Sequence, residues 1–369
     1  MLGSVVGAAS GGEEQQRPAA RDELDPAARP DKAAVDALSL RQQVGQLIVL
    51  RFTGTAAPAY VRDALRERRA AGVILFRDNV TGPEQLRTLT RSLRRAGGRP
   101  VVAVDQEGGE IRNLPWAPPV ASAPEQARAG SVRSDAEAAG KALSAAGITV
   151  SLAPVGDVPS VEDATLGGRS FSTDPEAAGA AIAAAVAGWR AGGVAATAKH
   201  FPGLGGATVN TDDGPATVDR SRTELEATDL PPFEAAIRAG VPLVMVGHAR
   251  YPAFDPDRIA SQSSAIVEDL LRDRLGFRGV VVTDSMEARA SLATGTITTV
   301  SERAIRAGAD LVLLTGQGSY APVYEHLLER AQSSAALRAR VRESAARVLA
   351  LKREGARPRD DERPALGAR

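Results

Sequence analysis

From about Leu38 onward, short apolar runs alternate along the chain with longer segments that have helical spacing. The apolar runs are rich in β-branched residues, and there are eight: 47–52, 73–76, 101–104, 149–153, 194–198, 243–247, 280–283 and 311–314. Continuous apolar runs of this length are typical of strands buried on both faces of a parallel sheet. The pattern therefore predicts eight buried strands.

The segments between the runs carry the periodicity of amphipathic helices, and glycines such as Gly72, Gly147 and Gly192 follow them where helices commonly end. The predicted helices are 58–70, 84–95, 135–146, 175–191, 223–238, 265–275 and 300–307, with 324–353 as the last helical stretch. Eight strands interleaved with helices predict an α/β fold, a single-domain (β/α)8 TIM barrel. A doubly wound open sheet is the alternative.

The two ends of the chain lack this periodicity. Residues 1–34 are rich in Gly, Pro, Ala and charge, which predicts a disordered leader before a barrel domain at 35–354 and a frayed tail at 355–369. The opening MLGSVVGAASGG resembles the end of a secretory signal peptide, but no basic segment precedes it. A clipped signal peptide and a disordered tail both remain open. The sequence leans towards export, with a cytoplasmic location as the alternative.

The composition of the chain excludes several classes of function. Lys and Arg together number 45, as do Asp and Glu, so the formal charge is zero and no nucleic-acid partner is expected. The absence of cysteine and a count of only three histidines argue against a metal site. There is no Gly-rich phosphate-binding motif and no apolar run near the roughly 18 residues of a transmembrane helix. We therefore expect no cofactor and a neutral polar substrate, and oligomeric state stays open.

Charged side chains follow the predicted strands where a barrel carries its chemistry, at their C-terminal ends. They are Asp105 and Glu107 after the third strand, Asp157 after the fourth, Lys199 and His200 after the fifth, His248 after the sixth and Asp284 after the seventh. Carboxylates with a lysine and a histidine in one pocket suit a polyhydroxylated ligand. A carboxylate under the anomeric carbon and a second proton-donating group would together hydrolyse a glycoside.

The segments around these residues resemble glycoside hydrolase family 3, and within it the single-domain β-N-acetylglucosaminidases of bacterial cell-wall recycling. The similar segments are GVILFRDNV, VAVDQEGGEIRNL, LAPVGDV, RSFSTDP, KHFPGLG, DLPPF, MVGHARYP, LLRDRLGFRGVVVTDSMEA and AGADLVLL, in the family's order over about 38–352. The resemblance implies a barrel that acts on a carbohydrate without a cofactor. The expected reaction is hydrolysis, with retention, of terminal β-linked N-acetylhexosamine or a related β-glucoside, as in peptidoglycan turnover.

The resemblance also assigns roles to residues. It places the covalent nucleophile on Asp284, for which a helix N-cap is the alternative. It places sugar-hydroxyl contacts on Asp105, Arg169, Lys199 and His200. Alternatives for these are an Asp105–Arg169 salt bridge, a lysine that extends its charge from the strand end, and a packed histidine.

Further positions complete the expected site. His248 joins the substrate-binding set, although it and Asp157 are more typical of residues that support the pocket from behind, and Asp174 is expected to cap a helix. A further binding arginine of the family falls on Asn113, and the adjacent Arg112 is expected to substitute for it in part.

The loop after KHFPGLG departs from the family. The cell-wall branch has KHFPGHG, then four residues, then DSH, whose histidine is the acid/base polarised by the aspartate. Here these positions hold Leu204, Asn210 and Asp212, followed by Asp213. In the family's two-domain β-glucosidases the acid/base is a glutamate of the second domain, which is not expected here.

Several readings of this loop remain open. Asp212 or Asp213 is the catalytic acid/base if burial or like charge raises its pKa, and this is the favoured hypothesis. Otherwise substrate or a partner supplies the group, the protein has another activity, or it is a catalytically impaired sugar-binding pseudoenzyme with regulatory function. The sequence NTDDG is also ordinary turn chemistry.

Overall fold

The structure is a computed structural model that describes residues 31–354, so the first 30 residues, with the possible export signal, and the tail at 355–369 lie outside it. Eight parallel strands form one sheet: β1 (Ile48–Arg51), β2 (Gly72–Leu75), β3 (Val101–Val104), β4 (Val150–Ser151), β5 (Thr197–Phe201), β6 (Leu243–Val246), β7 (Val280–Ser285) and β8 (Leu311–Leu314). Their order is β4-β3-β2-β1-β8-β7-β6-β5.

The sheet closes between β4 and β5. Val150 pairs with Ala195, and Val155 pairs with Lys199, both in parallel orientation. Closure confirms the predicted barrel and rules out the open doubly wound sheet. The carboxyl ends of all eight strands therefore meet at one end of the barrel, where the predicted site residues lie.

Helices surround the barrel. They are α1 (Lys32–Asp36), α2 (Leu40–Gly45), α3 (Ala59–Arg66), α4 (Pro83–Gly97), α5 (Ala123–Ala129), α6 (Val132–Ala146), α7 (Pro175–Gly192), α8 (Arg222–Glu224), α9 (Pro231–Arg238), α10 (Arg289–Leu292), α11 (Ile297–Ala307), α12 (Tyr320–Ser333) and α13 (Ala335–Glu354). The first helix begins within the predicted leader. No helix among residues 31–354 is long and apolar enough to cross a membrane.

Three predicted helices are wrong in detail. The segment 223–238 is interrupted, because π-helical turns at Leu225–Asp229 precede Pro231, which cannot donate a backbone hydrogen bond. The segment 265–275 winds as a π-helix, Ala265–Arg274. The last stretch is two helices, α12 and α13, separated at Ser334, whose backbone is extended.

The barrel interior is packed with apolar side chains from alternate strand positions, including Val49, Ile74 and Met245. Val348 and Leu351 of α13 belong to the same cluster and pack at the amino-terminal end of the barrel. A second, larger core lies between strands and helices. Because both faces of the strands are buried, the sheet is a rigid support for side chains at its carboxyl end.

Candidate active site

Two basic and two acidic side chains form a cluster at the ends of β3 and β5. The Lys199 ammonium lies 2.6 Å from Asp105 Oδ1 and 2.6 Å from Glu107 Oε1. Arg169 donates two hydrogen bonds to Glu107, from Nε to Oε2 at 2.8 Å and from Nη2 to Oε1 at 2.7 Å. The partner of Arg169 is thus Glu107, and the alternative of an Asp105–Arg169 salt bridge is wrong.

The charges in this cluster stabilise one another. Burial alone would raise the pKa of Glu107, but Lys199 and Arg169 outweigh it and lower that pKa to about 2. Burial opposes the charge on Lys199 as well, yet the carboxylates of Asp105 and Glu107 raise its pKa above the usual value. Both basic groups therefore stay charged at neutral pH, with fixed donors directed at the pocket.

The sequence predicted a position for Glu107 at the end of the third strand but no specific role. It lies in a small hairpin, Gln106–Gly108 with Ile111–Arg112, that turns directly after β3. Gly108 and Gly109 have φ of 108° and 56°, and a Cβ on Gly108 would lie 2.1 Å from the Ala121 carbonyl oxygen. The signal in the sequence was a carboxylate two residues after Asp105 followed by a Gly-Gly turn.

His200 is held by a buried carboxylate. Its Nδ1 donates to Asp157 Oδ2 at 2.7 Å, and its backbone amide donates to Asp157 Oδ1 at 3.2 Å. The amide of Leu204 donates to the same Oδ1 at 2.6 Å. Asp157 thus fixes both the imidazole and the start of the following loop, as expected for a supporting residue. The other nitrogen of His200, Nε2, lies 3.9 Å from Asp284 Oδ2.

Asp284 lies within β7, and its Oδ1 accepts a hydrogen bond of 2.7 Å from the adjacent Ser285 amide. The next helix, α10, begins at Arg289 with Ala288 before it, so the N-cap alternative is wrong. Burial favours the neutral acid, but His200 and the hydrogen bond from the Ser285 amide outweigh it and hold the pKa of Asp284 below the usual value. The Asp284 side chain is 20% exposed, so an ionised carboxylate faces the pocket.

His248 is fully buried behind Asp284, and both of its ring nitrogens are engaged. Its Nε2 donates to the Ser285 carbonyl oxygen at 2.8 Å, and its Nδ1 lies 2.8 Å from Ser261 Oγ. Burial lowers the pKa of His248, so the neutral ring accepts from the Ser261 hydroxyl. This is the supporting position expected of it. A direct sugar contact would require one of these bonds to break.

The loop that departs from the family forms a turn beside β7. The Asp212 amide donates to Asn210 Oδ1 at 3.0 Å, which is the turn geometry that the sequence suggests. The turn docks on α10: the amides of Arg289 and Ala290 donate to the carbonyl oxygens of Asp212 and Thr211, at 3.3 and 3.0 Å. The turn is therefore part of the pocket rim rather than a free surface loop.

Asp212 faces the charges of the pocket from this turn. Partial burial, and then repulsion from Asp284, raise the pKa of Asp212. Both Asp212 and Asp213 retain substantial solvent exposure. The two carboxylates Asp284 and Asp212 thus have pKa values displaced in opposite directions, the arrangement that separates a nucleophile from an acid in two-carboxylate sites.

Arg112 and Asn113 make contacts within the surrounding loops. Arg112 Nη2 donates to the carbonyl oxygen of Pro115 at 2.6 Å. The side-chain Nδ2 of Asn113 donates to the Asp105 carbonyl oxygen at 3.0 Å, and Asn113 Oδ1 accepts from the Arg77 backbone amide at 3.1 Å. These bonds fix the loops after β2 and β3 against each other, and a sugar-binding role for either residue stays a prediction.

Outside the pocket, Asp174 accepts from the Ala177 amide at 2.7 Å and caps α7, as predicted. Within residues 31–354, no three His, Asp or Glu side chains are arranged to hold a metal ion.

Comparison with known proteins identifies the family of the chain. Residues 39–351 match the model of the Glycosyl hydrolase family 3 N terminal domain. A beta-hexosaminidase of Stenotrophomonas maltophilia is 37% identical over 280 residues, which are 73% of this chain and 83% of that protein.

Solved structures are similar over most of the chain. The β-N-acetylhexosaminidase of Beutenbergia cavernae has a TM-score of 0.79 and 35% identity over 85% of this chain and 98% of its own. A family 3 β-N-acetylglucosaminidase of a Paenibacillus species has a TM-score of 0.81 and 33% identity over 87% of this chain, but this chain spans only 63% of that protein. The chain therefore belongs to glycoside hydrolase family 3, as a β-hexosaminidase-like member of it.

Proposed function

We propose that the protein is a retaining exo-glycosidase that removes terminal β-linked N-acetylhexosamine, or a related β-glucoside, through a covalent glycosyl-enzyme on Asp284. The observation that carries the proposal is the pair of carboxylates at the pocket, with the pKa of Asp284 lowered and that of Asp212 raised. An ionised nucleophile and a protonated acid are what the two steps of retention need. The β-hexosaminidase relatives support the choice of sugar.

In the first step, Asp284 attacks the anomeric carbon while the bond from that carbon to the leaving oxygen breaks. The proton of Asp212 moves to the leaving oxygen, so the aglycone departs as a neutral alcohol. In the second step, ionised Asp212 takes a proton from water as the water oxygen attacks the same carbon and releases Asp284. Both carboxyl groups return to their starting states, and the anomeric configuration is retained.

The remaining charged residues suit recognition of the sugar. Lys199 and Arg169 are held by Glu107, and Asp105 is held by Lys199, so donors and an acceptor are fixed before substrate arrives. Such preorganisation avoids the cost of ordering long side chains on binding. The Nε2 atom of His200, 3.9 Å from Asp284 Oδ2, is available to hydrogen-bond a sugar hydroxyl beside the anomeric carbon.

We assign the acid/base role to Asp212 instead of Asp213. Burial, and then repulsion from Asp284, raise the pKa of Asp212, which supports Asp212 as the proton donor. Asn210, at the position of the family's polarising aspartate, uses its Oδ1 to hold the Asp212 amide and fixes the turn. A carboxylate needs no polarising partner when burial and a neighbouring negative charge already raise its pKa.

A 4-nitrophenyl β-N-acetylglucosaminide tests the assignment, because its good leaving group needs little protonation. We expect Asp284→Ala to abolish hydrolysis. Asp212→Ala should slow release of the glycosyl-enzyme, and azide should restore turnover and give a β-glycosyl azide. Asp213→Ala is the matched control and should behave as the wild type. If the wild type does not hydrolyse this compound or the matching glucoside, the proposal is wrong and the sugar-binding pseudoenzyme hypothesis replaces it.

A further inference from the structure

A cavity of about 920 Å³ opens at the amino-terminal end of the barrel, the pole opposite to the candidate active site. Its walls come from the starts of β3, β4, β5 and β6, and from Leu351 of α13. Leu351 and Val348 close the base of the barrel only in part. The volume is within the range of about 300–1,000 Å³ that small-molecule sites occupy.

Basic groups and no carboxylate line this cavity. They are Arg94, Arg99, Lys141, Arg190 and Lys352. They converge from five separate places in the chain, on α4, the loop that follows it, α6, α7 and α13. Convergence of like charges on one concave site is unfavourable unless something compensates for the repulsion.

The described part of the chain compensates for only some of this charge. Lys141 pairs with Glu137 at 2.6 Å, and Arg190 Nη2 donates to the Ala239 carbonyl oxygen at 2.9 Å. The guanidinium groups of Arg94 and Arg99 make no hydrogen bond or ion pair with any residue of 31–354. Two guanidinium groups are therefore available at the rim.

Lys352 lies deeper and has a single neutral partner. Its ammonium donates to Gln46 Oε1 at 2.7 Å. Burial, and then repulsion from Arg68, lower the pKa of Lys352 to about 7. A half-buried ammonium with one amide partner is poorly compensated, and an anion beside it would offset that cost.

The segment that contains Arg94 and Arg99 has an excess of positive charge. Residues 51–100 contain eleven arginines, no lysine and only four acidic residues, although the whole chain is neutral. Arg94 and Arg99 belong to this segment. A field of one sign over a concave site raises the local concentration of oppositely charged ligands.

We propose that this basal cavity binds a small anionic molecule through phosphate or carboxylate oxygens, at a site separate from the glycosidase pocket. Guanidinium groups bind either oxyanion in a bidentate way, with Arg94 and Arg99 at the mouth and Lys352 at the inner wall.

Calorimetric titration of the full chain with pyrophosphate and, separately, with citrate tests the site. We expect at least one of them to bind with one site per chain; pyrophosphate alone would indicate a phosphate ligand and citrate alone a carboxylate ligand. Arg94→Gln/Arg99→Gln should weaken binding at least tenfold, and Lys352→Met, which keeps the length of the side chain, should weaken it by a similar factor.

The control is Arg128→Gln/Arg133→Gln, which removes the same net charge from exposed positions outside the cavity lining. It should bind as the wild type does. Three results would each overturn the proposal: no saturable binding of either anion, equal weakening in the control, or displacement of the anion by N-acetylglucosamine, which would place it in the sugar pocket.

Discussion

Glu107→Gln is the substitution that most directly tests the charged cluster under the sugar pocket. It keeps the shape of the side chain but removes the negative charge that Lys199 and Arg169 share. Glu107 is nearly buried, with 6% of its side chain exposed, and accepts contacts of 2.6, 2.7 and 2.8 Å from the two basic groups. Lys199 would then keep only Asp105 as a carboxylate partner, and Arg169 would lose its carboxylate partner.

The pKa of Glu107 falls from 4.5 to about 2 on folding. At about 1.4 kcal/mol per pKa unit, ionised Glu107 contributes about 3 kcal/mol to stability at pH 7. Loss of one partner from a buried ion pair costs a similar amount, about 3–5 kcal/mol. We therefore expect the free energy of unfolding to fall by about 3 kcal/mol and the Tm by about 6 °C.

Urea denaturation of the wild type and of Glu107→Gln measures this difference in the free energy of unfolding. Glu234→Gln is the control, because Glu234 pairs with Arg238 at 3.7 Å on the solvent-exposed surface. The sign follows from a lowered folded-state pKa: the difference from wild type is complete above about pH 4.5 and shrinks as the pH falls towards about 2. Such comparisons resolve differences of roughly 0.5 kcal/mol in the free energy of unfolding. A variant whose free energy of unfolding at pH 7 is within about 1 kcal/mol of the wild-type value would therefore refute the reasoning.

Two further outcomes follow from the structure. Gly72→Ala should destabilise the barrel by about 3 kcal/mol or prevent folding, because a Cβ there would lie 1.9 Å from the Val101 carbonyl oxygen, whereas Gly82→Ala, with open space, should leave the Tm unchanged. On a substrate with a poor leaving group, kcat/KM should fall at alkaline pH with an apparent pKa above the ordinary aspartate value. The reason is that Asp212 must be protonated and its pKa is raised. An unchanged limb in Asp212→Glu would count against that assignment.

Much of the fold could be predicted because each strand is buried on both faces. The predicted runs 101–104 and 311–314 coincide with β3 and β8, and the carboxyl-end position of Asp284 followed from the end of the seventh run. Burial imposes this apolar pattern directly on the sequence. The helices were less exact where π-helical turns replaced regular ones, because local spacing does not distinguish the two.

The details of the site depend on contacts between distant segments. Arg169 and Glu107 are 62 positions apart, and the hairpin that presents Glu107 requires the backbone of Gly108 and Gly109. By its residue type alone Asp284 was equally compatible with a helix cap, which the start of the next helix at Arg289 rules out. Neither pairing nor pKa can be calculated from spacing along the chain, so the sequence proposed candidates and the geometry selected among them.

Trapping with a 2-deoxy-2-fluoro glycoside that has a good leaving group tests the proposed mechanism most directly. The fluorine slows both steps, and the leaving group lets the first proceed, so the covalent intermediate accumulates. Peptide mass spectrometry of the inactivated protein should find one sugar on the peptide that contains Asp284, and the Asp284→Ala variant should remain unlabelled. A label on another carboxylate, or time-dependent inactivation without a covalent adduct, would contradict the proposed glycosyl-enzyme.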